Sequence, residues 1–142
     1  MPEPRIFRLE ALAEGMAADN RFTVDSVRQA QFAALSGDFN PLHTNADFAR
    51  ARGHNGPVVY GALLLAELSR LIGMDLPGRD AMWTDLDMQF HTPLYLDEEA
   101  TIRAEITHIS LATRAVQLRV QVHAGTRLVA RGRASVVLDD GD

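Results

Sequence analysis

Cysteine is absent from the 142 residues. That excludes a disulfide framework, a cysteine-based zinc finger, thiol catalysis and an iron–sulfur cluster together. Lysine is absent too: all 14 basic residues are arginine, which reads as the base composition of a genome rather than as function. Against 19 acidic side chains they leave a formal charge of -5. Nucleic-acid binding needs clustered cations, so no nucleic-acid partner is expected. No stretch approaches the ~20 uninterrupted apolar residues of a membrane span, and no membrane association is expected. The N-terminus, MPEPRIFRLEALAEGMAADN, carries acidic residues and two prolines where a signal peptide has its apolar core; a cytoplasmic protein is expected. No repeat and no Pro-, Gly- or Ser-rich linker divides the chain. One domain over residues 1–142 is expected, with a frayed tail at 139–142, Asp139-Asp140-Gly141-Asp142.

What is present is an ordinary globular composition, 46% hydrophobic and 23% charged. A chain of this length buries roughly 68–70% of its unfolded surface, enough for a core without staples. The first half reads helical. After a short extended piece from Arg21 to Val24, Asp25 can cap a helix to about Ser36 with Val27, Ala30, Phe32, Ala34 and Leu35 as its apolar positions. Gly37 is placed to end it. A dense loop, Ser36 to His43, comes next, and Asp47 to Arg52 reads as a short helix. The most apolar element is Val58 to Ile72, VVYGALLLAELSRLI, with Pro57 where helices start and Gly73 where they stop. It is hydrophobic nearly all round, which predicts burial.

The second half reads as strands. Met82, Thr84, Leu86, Met88 and Phe90 alternate with Trp83, Asp85, Asp87 and Gln89. Residues Thr101 to Ile109 make another strand. Val116, Leu118, Val120 and Val122 alternate with polar neighbours, and Leu128, Ala130, Ala134, Val136 and Leu138 oppose Arg127, Arg131 and Arg133. Ala124-Gly125 reads as the hairpin turn between the last two. A helix hydrophobic all round must be wrapped, and a curved antiparallel sheet is the partner available. An α+β fold is expected, its sheet curled around one long buried helix.

Chemistry is concentrated between Phe32 and Ala49, FAALSGDFNPLHTNADFA. Asp38 and His43 are the closely spaced acid and imidazole of a loop flanked by turn formers. Asn40-Pro41 prevents helix continuation, because the residue before proline is pushed out of the α region. The chain can fold back and aim both side chains at one point. A carboxylate beside an imidazole can position and activate one water, one group taking a proton while the other gives one. Spacing alone leaves capping and turn roles open for both.

The whole segment resembles the signature of the MaoC-like dehydratases, which include the (R)-specific enoyl-CoA hydratases. That signature has an aromatic residue, a small or aliphatic pair, Gly-Asp-x-Asn-Pro, an aliphatic residue, His, five residues and a small residue. Here these are Phe32, Leu35-Ser36, Gly37-Asp38-Phe39-Asn40-Pro41, Leu42, His43 and Ala49, with no position missing. Arg52 to Gly78 resembles the family's approach to its central helix, and Phe90-His91-Thr92-Pro93-Leu94 its strand-ending Phe-x-x-Pro element. The likeness covers roughly residues 22 to 137.

The resemblance implies the hotdog fold, a curved antiparallel sheet around one long helix, and a homodimer that pairs sheet edges. It implies hydration of a trans-2-enoyl thioester, on coenzyme A or an acyl carrier protein, to the (R)-3-hydroxyacyl thioester, or the reverse dehydration. Asp38 and His43 would be the catalytic pair, Asn40 and Pro41 would shape the loop, and Gly61 would offer its N–H to the thioester carbonyl. Addition at the β-carbon pushes negative charge onto that oxygen, and an N–H at a helix N-terminus is aimed to receive it. Tight helix–sheet packing is the other reading of Gly61. The family usually has His-Gly where this chain has Tyr60-Gly61. Tyr60 changes the pocket wall and its hydrogen bonding, and an unusual acyl thioester is as open as a fatty acyl one.

Two other readings stand beside this. Glu67 would be the carboxylate of a hotdog thioesterase if it did not pair with an arginine or face the sheet rim. A non-catalytic acyl-thioester binder would keep the loop as architecture only. His54, His91, His108 and His123 lack metal-ligand spacing and read as surface or strand residues; Trp83 and Tyr95 read as packing or interface aromatics. Arg50, Arg52 and Arg114 could meet coenzyme A phosphates or simply solubilise. No metal, flavin or nicotinamide motif is present, and a hydration needs no cofactor.

Overall fold

Strand β1 (Ala17–Phe22) pairs antiparallel with β3 (Ala100–Ser110), β3 with β4 (Ala115–Ala124), β4 with β5 (Arg127–Leu138), and β5 with β2 (Ala81–Phe90). The resulting five-stranded sheet has the order β1-β3-β4-β5-β2. The computed structural model describes residues 1–139. Four helices lie between β1 and β2: α1 (Ser26–Ser36), α2 (Pro41–Thr44), α3 (Ala46–Ala51) and α4 (Gly61–Met74). A 3-10 turn at Leu9–Ala11 precedes β1 and buries Leu9. The architecture is the α+β one expected, a single antiparallel sheet with α4 laid across it. Among the described residues no helix is long and apolar enough to cross a membrane.

The sheet owes its curl to irregularities in pairing. Register shifts fall between Trp83 and Asp85, Ile106 and His108, and Val122 and His123. Each extra residue bends its strand and increases the local twist. The bulges also correct the expected alternation. Beyond the shift at Thr84 the pattern holds at Leu86 and Met88 and fails at Phe90, which is 53% exposed; before it the phase is reversed, so Met82 is 62% exposed and Trp83 packs on the core. Near the start of β5 the shift puts Val129 and Ala130 both inside and leaves Leu128 half-buried. The hairpin turn is Gly125-Thr126, with Ala124 still in β4.

The central helix begins three residues later than Pro57 predicts. Pro57, Val58 and Val59 are extended because their backbone is used sideways. Val58 bridges Tyr95, and the Val59 N–H donates to the Leu94 carbonyl at 2.8 Å. Tyr60 is the N-cap and Gly61 the first helical residue; the helix then runs through Gly73 to Met74. Leu63, Leu64, Leu68, Leu71 and Ile72 are buried against the sheet, together with Glu67. The opposite side, Ala62, Ala66, Ser69 and Arg70, is exposed, so the chain wraps only one face of α4. The strand near the N-terminus also lies earlier than expected, ending at Phe22, although Val24 remains fully buried.

α1 begins where Asp25 predicts: its carboxylate accepts the Arg28 N–H at 2.8 Å. Its orientation differs from expectation. Of the predicted apolar positions Val27 and Leu35 are 61% and 84% exposed, Ala30 and Ala34 are exposed, and Phe32 is half-buried. The residues turned inward are Gln29 and Ala33. At the other end of the chain Asp139 is held, its N–H donating to the Asp80 carbonyl at 2.8 Å, which corrects the expected fraying there. The rest of that tail, 140–142, lies outside the described residues.

Candidate active site

Local rules shape the segment that carries Asp38 and His43. Gly37 ends α1 in the left-handed conformation, φ 75°, which glycine adopts without steric cost, and its N–H returns to the Ala33 carbonyl at 2.9 Å. Asp38 Oδ1 accepts the Asn40 N–H at 3.0 Å, and Asn40 Oδ1 accepts the Leu42 N–H at 3.0 Å. These consecutive side-chain turns use short polar residues that mimic a backbone turn. The expected loop therefore contains a helical turn, α2, with Asn40 as its N-cap and Pro41 at the position where a missing N–H is harmless. Asn40 and Pro41 start that turn. Asp38 is exposed and His43 half-buried.

The imidazole of His43 is held on two sides. Its Nδ1 lies 2.7 Å from the Val58 carbonyl oxygen. A carbonyl only accepts, so Nδ1 carries the hydrogen, and in the neutral ring the lone pair is on Nε2. One face of the ring stacks on Tyr60 with centroids 4.1 Å apart and planes at 26°. Tyr60 itself is buried, tilted against Phe32 at 4.7 Å. Its hydroxyl donates to the main-chain carbonyl of Asp38. Burial first, and the Asp38 charge second, push the Tyr60 phenol above its ordinary range. Tyr60 is thus a neutral donor that ties the Asp38 turn to the head of α4, behind the imidazole.

Gly61 begins α4, and its N–H belongs to the first turn, which has no intrahelical acceptor. A Cβ placed there would lie 3.2 Å from two ring carbons of Phe90. Phe90 thus supplies the close contact that the packing reading of Gly61 expects.

Sequence reasoning missed three participants. Gln29 donates from Nε2 to the carbonyls of His43, at 3.0 Å, and Val58, at 2.9 Å. The Val58 carbonyl fixes the His43 tautomer, and Phe90 closes over Gly61. A main-chain carbonyl leaves no trace in residue identity. Gln29 left one: it falls on the same helical face as Ala33, four residues on, where an apolar residue is the norm.

Glu67 is buried in α4, where Arg28 Nη2 meets Oε1 at 2.6 Å and Asn20 Nδ2 meets Oε2 at 3.2 Å. It pairs with an arginine, the alternative weighed against a thioesterase role, and both carboxylate oxygens are engaged. Arg114 donates to the Leu138 carbonyl at 3.0 Å, and the Arg52 guanidinium sits 4.5 Å above the Phe48 ring. Arg50 faces Asp47 at 3.8 Å. Among the described residues no three His, Cys, Asp or Glu side chains gather as a metal site. A groove of about 460 Å³ lies elsewhere, lined by Asp87, Gln89, Arg119, Arg131 and Arg133 on β2, β4 and β5.

Three comparisons bear on this arrangement. The family model described as MaoC like domain matches residues 9–128. The (R)-specific enoyl-CoA hydratase of Aeromonas caviae is 35% identical over 113 residues, 77% of this chain and 82% of that protein. The 3-hydroxybutyryl-CoA dehydratase of Methylorubrum extorquens is 24% identical over 136 residues, 96% of this chain and 87% of that protein. Among solved structures, the (R)-hydratase from A. caviae involved in PHA biosynthesis superposes with a TM-score of 0.88 at 32% identity, covering 91% of this chain and 98% of that one. The bulged five-stranded sheet with α4 across it is the hotdog fold of those hydratases, and the chain belongs to the MaoC-like family.

Proposed function

We propose that this protein is a hydro-lyase that adds water reversibly across the double bond of a trans-2-enoyl thioester, giving the (R)-3-hydroxyacyl thioester, with Asp38 and His43 as the catalytic pair. The single observation that carries the assignment is the His43 contact: Nδ1 lies 2.7 Å from the Val58 carbonyl oxygen, which accepts its hydrogen, so in the neutral ring Nε2 is a proton acceptor on the half-buried turn α2, five residues after Asp38. Membership of the family and likeness to hydratases support the reaction class.

The chemistry balances with one water. His43 Nε2 takes a proton from water as the oxygen bonds to the β-carbon, and the thioester carbonyl becomes an enolate oxygen that the Gly61 N–H receives. Asp38 orients the water through its carboxylate and balances the imidazolium. The proton on Nε2 then passes to the α-carbon, and the enolate collapses. Dehydration is the same path reversed. No group beyond these residues is required by the atoms exchanged.

A single domain forming a cytoplasmic homodimer completes the reading. Two features support the dimer: β2 pairs only with β5, leaving its other edge open, and Val27, Leu35 and Phe39 expose apolar surface beside the site. The carrier is coenzyme A or an acyl carrier protein. Loss of the enoyl absorbance of crotonyl-CoA, with Asp38→Asn run alongside, tests the assignment. Hydration by the wild type alone supports it. Free thiol release without hydration in both proteins points instead to a thioesterase and sinks it.

A further inference from the structure

We infer that Gln29 is a positioning residue for the imidazole: its side-chain amide locks His43 in the Nδ1–H tautomer, keeping Nε2 free to take a proton. The inference rests on the hydratase reading for its catalytic consequence, but its structural half stands alone.

Gln29 is 4% exposed on a helix that turns Val27 and Leu35 to solvent. A glutamine is not buried there in place of a leucine for the sake of packing. What it supplies is a pair of amide hydrogens aimed at two main-chain carbonyls, of His43 at 3.0 Å and of Val58 at 2.9 Å. The Val58 oxygen is the one that accepts His43 Nδ1–H at 2.7 Å. One carbonyl with two lone pairs thus serves both donors.

The orientation of the amide is forced. Turned over, Gln29 Oε1 would face two carbonyl oxygens with no hydrogen between them. In the orientation present, Oε1 is left buried without a hydrogen-bond partner. Buried polar atoms are overwhelmingly paired, so an unpaired one marks a constraint elsewhere. Here the constraint is the two donor contacts.

Those contacts join three elements at a point. Val58 is already strapped through its N–H to the Leu42 carbonyl at 3.0 Å, and Val59 through its N–H to the Leu94 carbonyl at 2.8 Å. Gln29 adds α1 and fixes where the Val58 oxygen points relative to the imidazole. Without the amide, the Val58 carbonyl keeps only the Val59 N–H on the far side of its own peptide unit as a tether, and the His43 carbonyl loses its tie to α1, so the Nδ1 contact loosens. The proton can then settle on Nε2, the atom that must accept one. The fraction of molecules with Nε2 free sets the fraction able to react.

The test uses the full chain labelled with ¹⁵N-histidine, with the His43 ring signals assigned by comparison with His43→Gln. Wild type is expected to show Nδ1 protonated and Nε2 bare. Gln29→Met keeps length and volume but removes both donors; it should show a mixed or inverted pattern. In crotonyl-CoA hydration the same variant should lose roughly 10-fold or more in kcat, with KM within about 2-fold of wild type, as misorientation of a catalytic group does. Gln29→Glu, nearly isosteric, presents a carboxylate to the same two carbonyls and should behave alike, covering the case in which the methionine variant does not fold. A wild-type ring already protonated on Nε2, or a wild-type ring pattern in a folded variant, overturns the inference. So does unchanged kcat in a folded variant of an active enzyme. If the wild type hydrates no enoyl thioester, the functional reading fails, and the ring pattern still decides what Gln29 does.

Discussion

Along β4, Val116, Leu118, Val120 and Val122 are fully buried with polar residues between them, whereas along α1 leucine and valine face solvent and a glutamine faces in. The two regions differ in what their side chains are for. In the sheet, alternation places apolar surface against α4, and burial at about 25 cal/mol per Å² holds the layer together. From α1 to the head of α4, inward positions are taken by groups that hydrogen-bond: Gln29, His43 and Tyr60. The sheet supplies stability and the segment ahead of α4 supplies orientation. Mutations should divide accordingly, with activity lost in one region and stability in the other.

The largest expected effect is on the orienting side. Asp38→Asn and His43→Ala should each lower kcat/KM by about 10²–10⁴, the usual worth of a general acid or base. Because Asp38 is exposed and His43 half-buried, thermal unfolding should move little. Steady-state kinetics with a melting curve check both halves of that statement. A folded Asp38→Asn protein with wild-type kcat/KM would remove Asp38 from the chemistry.

On the other side, Leu68 and Leu71 are fully buried in α4. Leu68→Ala should cost about 2–5 kcal/mol of stability by lost transfer energy and the cavity left behind. Among molecules still folded, kcat should stay near wild type. Urea unfolding and active-site-normalised rates test it. A large kcat loss in fully folded Leu68→Ala would break the division, because it would couple the helix core to the site.

Gly61 sits where the two regions meet. In Gly61→Ala the N–H survives but the new methyl lies 3.2 Å from the Phe90 ring. Phe90 is on the open edge strand and more than half exposed, so it can give by a few tenths of an ångström. In the proposed reaction the substrate carbonyl approaches the same backbone and would meet the methyl as well. A loss of roughly tenfold in kcat/KM, with stability changed by about 1 kcal/mol or less, is expected. If Phe90→Ala restores the rate of Gly61→Ala, the methyl acts through the ring and not on the substrate.

How much of this is legible in sequence follows the same division. The α+β architecture, the four long strands and the cap at Asp25 are all readable, because alternation and capping are local signals. Bulges are not local: Met82 and Trp83 exchange faces because one residue is added opposite β5, which no window of β2 reveals. The start of α4 was displaced by Pro57, a strong local signal overruled when Val58 and Val59 bond to Leu42 and Leu94. Asp38, Asn40 and His43 are found by motif. Their supports are a carbonyl, a buried amide and a hydroxyl, and these become visible only when three elements converge.

The smallest effect concerns Tyr60, whose hydroxyl ties the Asp38 turn to α4. Tyr60→Phe keeps the stack on His43 and removes one hydrogen bond, about 0.5–1.5 kcal/mol. Its pH signature is more telling than its size. The phenol is raised above its ordinary value near 10, first by burial and then by the Asp38 charge. The folded protein therefore favours the neutral form. The associated stability is complete below about pH 10 and is lost as pH climbs from there through the raised value. Wild-type melting temperature should consequently fall more steeply above about pH 10 than that of Tyr60→Phe, and the two curves should converge at the alkaline end. Parallel curves from pH 8 to 11.5 would mean that the hydroxyl is open to water in solution, and that the Asp38 turn is held without it, by the Asn40 N–H on the Asp38 carboxylate and the Asp38 N–H on Ser36 Oγ at 3.1 Å.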